Sequence, residues 1–397
     1  MKKRTLASLE GQPLEGQRAL VRVDFNVPVR DGMVADATRI RAALPTIQWL
    51  SGKGCRVVLL SHLGRPKGAP DPRYSLRPVA SELERQLGTP VLFLDDPAGE
   101  EAVQRSRRMK RGEVALGENT RFYPGEESND AELARRFAAL GDFYVNDAFG
   151  SAHRAHASTE AVARILKPAV AGFLMAKELD YLGMALSEPK RPFVAVLGGA
   201  KVSDKIGVIN ALLPRVDQLL IGGAMACTFF AAMGHDMGAS LVERDKLELA
   251  RELLSRAGEK LILPKGLVVA ERLSAGASRR SVAPDAVPSG WAAYDIDSET
   301  CRDFVARIRR ARTVLWNGPM GVFETPPFDE GTMAIARGLA DATRKGAVTI
   351  VGGGDSAAAV ARAGVEDRIT HVSTGGGATL EFLEGKVLPG VAALDDA

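Results

Sequence analysis

Seven polar side chains in the first half of the 397-residue chain follow apolar runs or open a helical stretch. Asp24 and Asn26 end "ALVRVDFNV", His62 and Arg65 lie in "SHLGRP", Arg121 in "GENTRF", Arg154 in "FGSAHRAH", and Arg39 opens "TRIRAALPTI". A single exposed arginine is ordinary surface. Several guanidinium forks aimed at one point suit a phosphate, because each donates two parallel hydrogen bonds. Asp24 and Asn26 beside them suit a hydroxyl or polar head, and His62 a phosphate oxygen. This half is expected to bind a small, multiply charged anion. His153 and His156 stand three residues apart in a loop-like segment without an evident third ligand, so a metal pair is not expected there.

In the second half the corresponding places hold glycine: "LGGAK" (197–201), "IGGA" (221–224), "WNGP" (316–319), "VGGGD" (351–355) and "STGGGA" (373–378). Glycine lets a ligand approach the backbone closely, and peptide N–H groups at a helix start cradle anions. One such turn can serve helix–sheet packing alone; five in one half point to a long ligand such as a nucleotide. The Walker A pattern is absent, and the dinucleotide pattern is met only by Gly352, Gly354 and Ala357. Lys201 and Lys205, four apart at a strand-to-helix junction, are expected to reach a polyphosphate. A carboxylate beside phosphates is repulsive unless a divalent cation lies between them, so Asp355 is expected to hold Mg²⁺. An N-cap role for Asp355 or Ser356 remains open from the sequence.

Elements of two kinds must position these groups. Strand candidates at 19–27, 56–62, 91–95, 113–119 and 143–149 alternate with helical patterns at 38–54, 76–88 and 131–141. The alternation resumes with strand candidates at 193–199, 218–224, 260–264, 313–318, 348–354 and 369–377. Such spacing predicts βαβ crossovers and parallel sheets, at whose carboxyl ends ligands bind. The fold class is α/β, in two domains. A helical pattern ending at Ser187 or Glu188, before Pro189 and Pro192, predicts one connecting helix between them.

Composition narrows the function. The chain is 46% hydrophobic and 25% charged, with a net charge of +3, which argues against a dedicated nucleic-acid binder. "QRSRRMKRGE" (104–113) carries no aromatics and is expected to be a solvated helix end. No run reaches signal-peptide or membrane-spanning length, and three distant cysteines fit a reducing compartment, so the cytoplasm is expected.

An anion site on one domain and a Mg-nucleotide site on the other imply phosphoryl transfer across a closing cleft. A carboxylate acceptor is already ionised and needs no general base. A nicotinamide-dependent dehydrogenase leaves both lysines and Asp355 without a role. A kinase of another carboxylate leaves the arginine cluster without one, and a non-catalytic sugar-phosphate binder leaves the glycine turns unused.

The motifs "VRVDFNVP", "TRIRAALPTI", "LLSHLGRP", "GENTRF", "FGSAHRAHAS", "LGGAKVSDKI", "LWNGPMGVFE", "VGGGDSAAA" and "STGGGATLEFLEGKVLPG" occur in that order. They resemble the successive signatures of the phosphoglycerate kinase family over nearly the whole chain. The resemblance implies two Rossmann-like domains that hinge shut: 1–174 for phosphoglycerate, a joining helix at 175–189, 190–383 for Mg-nucleotide, and a tail at 384–397 returning to the first. It implies monomeric action on 3-phosphoglycerate or 1,3-bisphosphoglycerate and ADP or ATP in glycolysis, without membrane partners. By the same resemblance Asp24, Asn26, His62, Arg65, Arg121 and Arg154 bind phosphoglycerate, while Arg39 stabilises the moving phosphoryl group. Lys201 joins it there, with backbone donors at Gly375 and Gly376. Lys205 serves the nucleotide phosphates, Glu324 the ribose and Asp355 the magnesium. Gly199, Ala200, Gly222, Gly223, Asn317, Gly353, Gly354 and Ser356 fall at the remaining nucleotide positions. Ser356 stands where threonine is commoner, and Ala224 where a third glycine is.

Overall fold

The structure, a computed structural model, describes residues 2–397. The chain forms two compact units. The first extends to Asp180 and takes in Val387–Ala397; the second is Tyr181–Lys386. The chain crosses from one to the other within the helix Phe173–Ser187.

In the first unit, β1 (Arg18–Arg22) is followed by a small hairpin of β2 (Val29–Arg30) and β3 (Met33–Val34). Then come β4 (Arg56–Leu60), β5 (Val91–Leu94), β6 (Val114–Gly117), β7 (Phe143–Asn146) and β8 (Ala169–Ala171). The six longer-range strands form one parallel sheet in the order β5-β6-β4-β1-β7-β8. "RVVLL", "VALG" and "FYVN" are apolar on successive residues because helices cover both faces of a parallel sheet. β4 and β7 flank β1, so the connections leave β1 in opposite directions and open a crevice beyond its carboxyl end. The flanking helices carry local signals. Asp130 caps Ala131–Ala138 by accepting the Leu133 N–H at 2.7 Å, and Gly88 ends Arg77–Leu87 in the left-handed region. The basic run 104–113 covers the end of the helix Glu100–Arg108.

The second unit repeats the plan with β9 (Phe193–Leu197), β10 (Gln218–Ile221) and β11 (Leu261–Ile262). Next is an antiparallel insertion, β12 (Leu267–Ala270), β13 (Arg279–Val282) and β14 (Ala292–Ile296). β15 (Thr313–Asn317), β16 (Val348–Gly352) and β17 (His371–Val372) complete the parallel sheet, ordered β11-β10-β9-β15-β16-β17. Its reversal of direction falls between β9 and β15. Trp316 is wholly buried at the centre of this sheet, with its indole N–H donating to Gly318 O at 2.7 Å.

Within the first unit the chain's end is fastened to its beginning. Lys3 Nζ donates to Leu394 O at 2.8 Å and Ala392 O at 3.2 Å, and pairs with Asp396 at 2.8 Å. The lysine side chain is buried and the aspartate largely exposed, so the carbonyl bonds carry most of the energy. Lys3→Met keeps the apolar stem and removes the donor. It is expected to lower stability by about 1–3 kcal/mol, read as a lower urea midpoint at constant slope. An unchanged midpoint would show that the lysine does not hold the tail.

Candidate active site

The crevice beyond β1 and β4 collects cations. Arg22, the last residue of β1, is fully buried. Its Nε donates to Ser158 Oγ at 2.8 Å, Nη1 to Val23 O, and Nη2 faces His62 Nδ1 at 3.1 Å. A guanidinium only donates, so Nδ1 of His62 accepts and the ring proton sits on Nε2. Burial, reinforced by Arg22, Arg121, Arg39 and His156, holds His62 well below the usual histidine range. His62 is therefore a neutral ring with its Nε2–H as the donor left for a ligand. Ser158 is fixed in turn by Glu126, which accepts its hydroxyl at 2.5 Å and its N–H at 3.0 Å.

Arg121 is also buried, with Nη1 donating to Gly64 O at 2.7 Å and Nε 3.2 Å from Glu127. Burial lowers its pKa, and Arg22 and Arg154 push the same way against Glu127 and Glu126. Its loop is clasped by buried Asn119, which accepts the Leu63 and Arg121 N–H groups and donates to Leu63 O and Tyr74 O. Arg39, near the start of the helix Thr38–Gly52, gives Nη1 to Asp24 at 3.0 Å and to Asn26 O at 3.2 Å. Its other guanidinium edge makes no protein hydrogen bond among the described residues. Asn26 Oδ1 accepts the Gly64 N–H at 2.9 Å, which ties the first strand end to the "SHLGRP" loop. Arg65 and Arg154 are exposed, and Arg154 Nε meets His153 Nε2 at 3.1 Å. His156 is buried and pushed down to about 3 by burial and by Arg22, Arg121 and Arg154.

The sequence reading looked beyond strand ends and so passed over Arg22, Asn119, Glu126 and Ser158. A visible signal for Arg22 was a charge inside the otherwise apolar "LVRVDF". In a strand buried on both faces, such a residue must find partners.

In the second unit the glycines divide by what a methyl group would meet. At Gly198, Gly222, Gly223 and Gly318 it would fall 2.1–2.5 Å from atoms of neighbouring strand-end loops, so these turns interlock. At Gly354 and Gly376 it would meet nothing within 4 Å, and at Gly199 only Lys205 Cε at 3.9 Å. Close approach by a ligand is therefore open at Gly199, Gly354 and Gly376. Gly353 is the N-cap of the helix Gly354–Arg362 and makes no side-chain cap bond, so Asp355 lies exposed in its first turn. Ser356 is buried and accepts the Gly318 N–H at 2.6 Å. Neither side chain caps the helix.

Lys205 Nζ bonds Asn317 Oδ1, and Asn317 donates to Gly352 O at 2.8 Å. Burial pulls Lys205 below its ordinary value, opposed by Asp204, Asp355 and Glu384. The spacing argument for the two lysines needs correction. The helix begins only at Ile206, so Lys201 and Lys205 lie on a turn and share no helical face. Lys201 and Ala200 are exposed, whereas Lys205 folds back onto the end of β15. Gly375 is buried with its N–H given to Ser373 Oγ at 3.1 Å; Gly376, the N-cap of Gly377–Leu383, has φ +54°. Glu324 is exposed on the loop after β15, where Arg362 donates to the neighbouring Phe323 O and pairs with Asp329 at 3.0 Å. Arg362 thus ties the far end of the Asp355 helix to the Glu324 loop, a link no motif announced.

A carboxylate standing alone at a helix start fits an Mg²⁺ shared with phosphate oxygens better than a resident ion. Among the described residues no group of three or more His, Cys, Asp or Glu side chains is arranged to hold a metal.

Both buried imidazoles are neutral in the fold, while an unfolded histidine takes up a proton near pH 6.5. The unfolded chain then binds more protons, so stability falls as pH drops below 6.5, continuing for His156 to about 3. Nitrogen-15 NMR is expected to show His62 as the Nε2-protonated neutral ring, untitrated from about pH 8 to about pH 5. Titration near 6.5 would overturn the lowered basicity, and a neutral ring protonated on Nδ1 would overturn the tautomer assignment.

The model of the family described as phosphoglycerate kinase matches residues 9–386. The chain is 56% identical to a phosphoglycerate kinase of Synechococcus elongatus over 401 residues and 56% to one of Chloroflexus aggregans over 403, covering 100% of each chain. Among solved structures it is similar to the phosphoglycerate kinase from Coxiella burnetii, with TM-score 0.88, 42% identity and 97% of both chains covered. For that of Pyrococcus horikoshii the values are 0.84 and 33%, with 97% of this chain and 98% of that one covered. With the family model spanning both units and relatives matching end to end, the chain belongs to the phosphoglycerate kinase family.

Proposed function

We propose that the chain transfers the acyl phosphate of 1,3-bisphosphoglycerate to ADP, yielding 3-phosphoglycerate and ATP, and catalyses the reverse. The observation that carries this reading is the crowd of cations beyond β1 and β4, where Arg22, Arg121 and neutral His62 are locked by buried partners. Arg65 and the open edge of Arg39 complete a set of donors matched to an anion with several charged oxygens. Asp24, though paired with Arg39, keeps acceptor capacity for a substrate hydroxyl.

In this reading the second unit holds the nucleotide. Lys205 and the open backbone at Gly199 and Gly354 face its phosphates, Glu324 its ribose, and Asp355 would hold Mg²⁺. The ion, when bound, neutralises phosphate charge. Arg39 and Lys201 then face the transferring group, with Gly376 as a backbone neighbour, and stabilise the charge that spreads over its oxygens. The acceptor carboxylate is ionised, so no residue need remove a proton. Transfer requires both half-sites to meet, and the reading includes closure of the two units around their substrates, with exclusion of water.

The same reading takes the protein as a cytoplasmic monomer without nucleic-acid or membrane partners. No helix among the described residues is long and apolar enough to cross a membrane, and the three cysteines are free.

A coupled assay of ADP release from MgATP with 3-phosphoglycerate tests the reading; release that does not depend on 3-phosphoglycerate would refute it. Arg39→Ala and Lys201→Ala are expected to lower kcat about a hundredfold or more with the thermal midpoint little changed. Near-normal turnover in either would remove that residue from the transfer step. Asp355→Asn is expected to raise KM for MgATP about tenfold and the Mg²⁺ needed for half-maximal rate. An unchanged magnesium dependence would take Asp355 out of the metal site.

A further inference from the structure

One buried carboxylate of the second unit packs against the loop that carries Glu324. Asp295, in β14, is 4% exposed and belongs to the antiparallel insertion. Its Oδ1 accepts the Ile296 N–H at 2.8 Å and its Oδ2 the Gly331 N–H at 2.8 Å. Gly331 is in the first turn of the helix Glu330–Arg344. Two glycines crowd the same carboxylate: a methyl on Gly321 would fall 2.4 Å from Oδ1, and one on Gly331 2.3 Å from it. Gly321 and Gly331 bound the loop that carries Glu324. Val322 N–H donates to Tyr294 O at 2.9 Å, and the Phe328 ring lies 5.1 Å from that of Tyr294. Both ends of the loop therefore close on one residue of β14 and its neighbour.

We propose that Asp295 is a positioning residue for the nucleotide, holding the Gly331 end of the 321–331 loop by a hydrogen bond and packing against Gly321 at the other end, so that Glu324 is presented to the ribose. This inference rests on the role given to Glu324 above. Burial, reinforced by the nearby charges of Glu330 and Asp329, pushes the Asp295 pKa up to about 8 against the two backbone N–H bonds, which favour the anion. Keeping an acid there costs the fold stability when ionised, because burial disfavours the anion. With one backbone N–H on each oxygen, an amide of that size would turn its NH2 donor toward one of the two, and a hydrophobic side chain would accept neither.

The test is a double-mutant cycle of Asp295→Asn and Glu324→Ala, read as KM for MgATP, KM for 3-phosphoglycerate and kcat. The expected result is a rise of about fivefold or more in KM for MgATP on Asp295→Asn, with KM for 3-phosphoglycerate unchanged. In the Glu324→Ala background the same change should shift KM for MgATP by less than about twofold, because the loop no longer has the group to present. A loss confined to kcat or active fraction, or an equal KM shift in both backgrounds, would mark Asp295 as merely structural and overturn the proposal. If Glu324→Ala alone leaves KM for MgATP unchanged, the ribose assignment fails as well, which separates the two readings. Gly321→Ala, whose methyl would meet the carboxylate at 2.4 Å and Phe328 O at 2.6 Å, loosens the other end of the loop and is the second variant; it should give the same nucleotide-selective shift. If neither variant folds, the carboxylate serves the fold and not the nucleotide, and the proposal falls.

Discussion

Mutual repulsion among cations is the constraint around which the first unit is built. Burial depresses the basicity of His62, His156 and Arg121, and the fields of neighbouring guanidinium groups among Arg22, Arg121, Arg39 and Arg154 add to it. Opposite charge is scarce nearby: Asp24 takes one edge of Arg39 and Glu127 one edge of Arg121, while Glu126 is spent on Ser158. The cluster survives because neutral acceptors hold it in place: Val23 O, Gly64 O, Ser158 Oγ and the unprotonated nitrogen of His62. Such an arrangement is unfavourable when empty and is relieved by a multiply charged anion, so preorganisation and anion selectivity have the same origin.

The second unit reaches a comparable end with backbone in place of side chains. Its strand-end turns interlock through glycines 198, 222, 223 and 318, and this brings the turn after β9 beside that after β15, where the sheet order reverses. Ser356 and Asn317 stitch β15 to the turn after β16. What remains open borders Lys205 at Gly199 and adjoins Asp355 at Gly354, with Gly376 open at the start of the helix Gly377–Leu383. The unit therefore supplies few fixed charges, which suits a ligand that brings its own cation.

Most of this architecture was legible in the sequence because parallel strands covered on both faces leave unbroken apolar runs. β8 was not, since Ala169–Ala171 is three residues long and follows a proline. The insertion of β12 to β14 was missed too. β13, "RRSV", is mostly exposed and carries no apolar pattern, and it pairs only with β12, which also pairs with β14. At the site, ligand-facing types stood out in the motifs, but the residues that orient them did not. Asn119 and Ser158 act through contacts distant in sequence, and Asp295 meets Gly331 across 36 positions. Local pattern carries no record of such pairings. Lys201 and Lys205 fall at the strand-to-helix junction expected for them, but the helix after β9 starts only at Ile206, so they share no helical face.

Calorimetric titration of the protein with 3-phosphoglycerate, and in parallel with glycerate, at a series of ionic strengths tests the central claim most directly. The cation cluster predicts measurable binding of 3-phosphoglycerate and an affinity for glycerate weaker by about a hundredfold or more, with the difference shrinking as salt is raised. Equal affinities for the two acids, or binding indifferent to salt, would contradict the account.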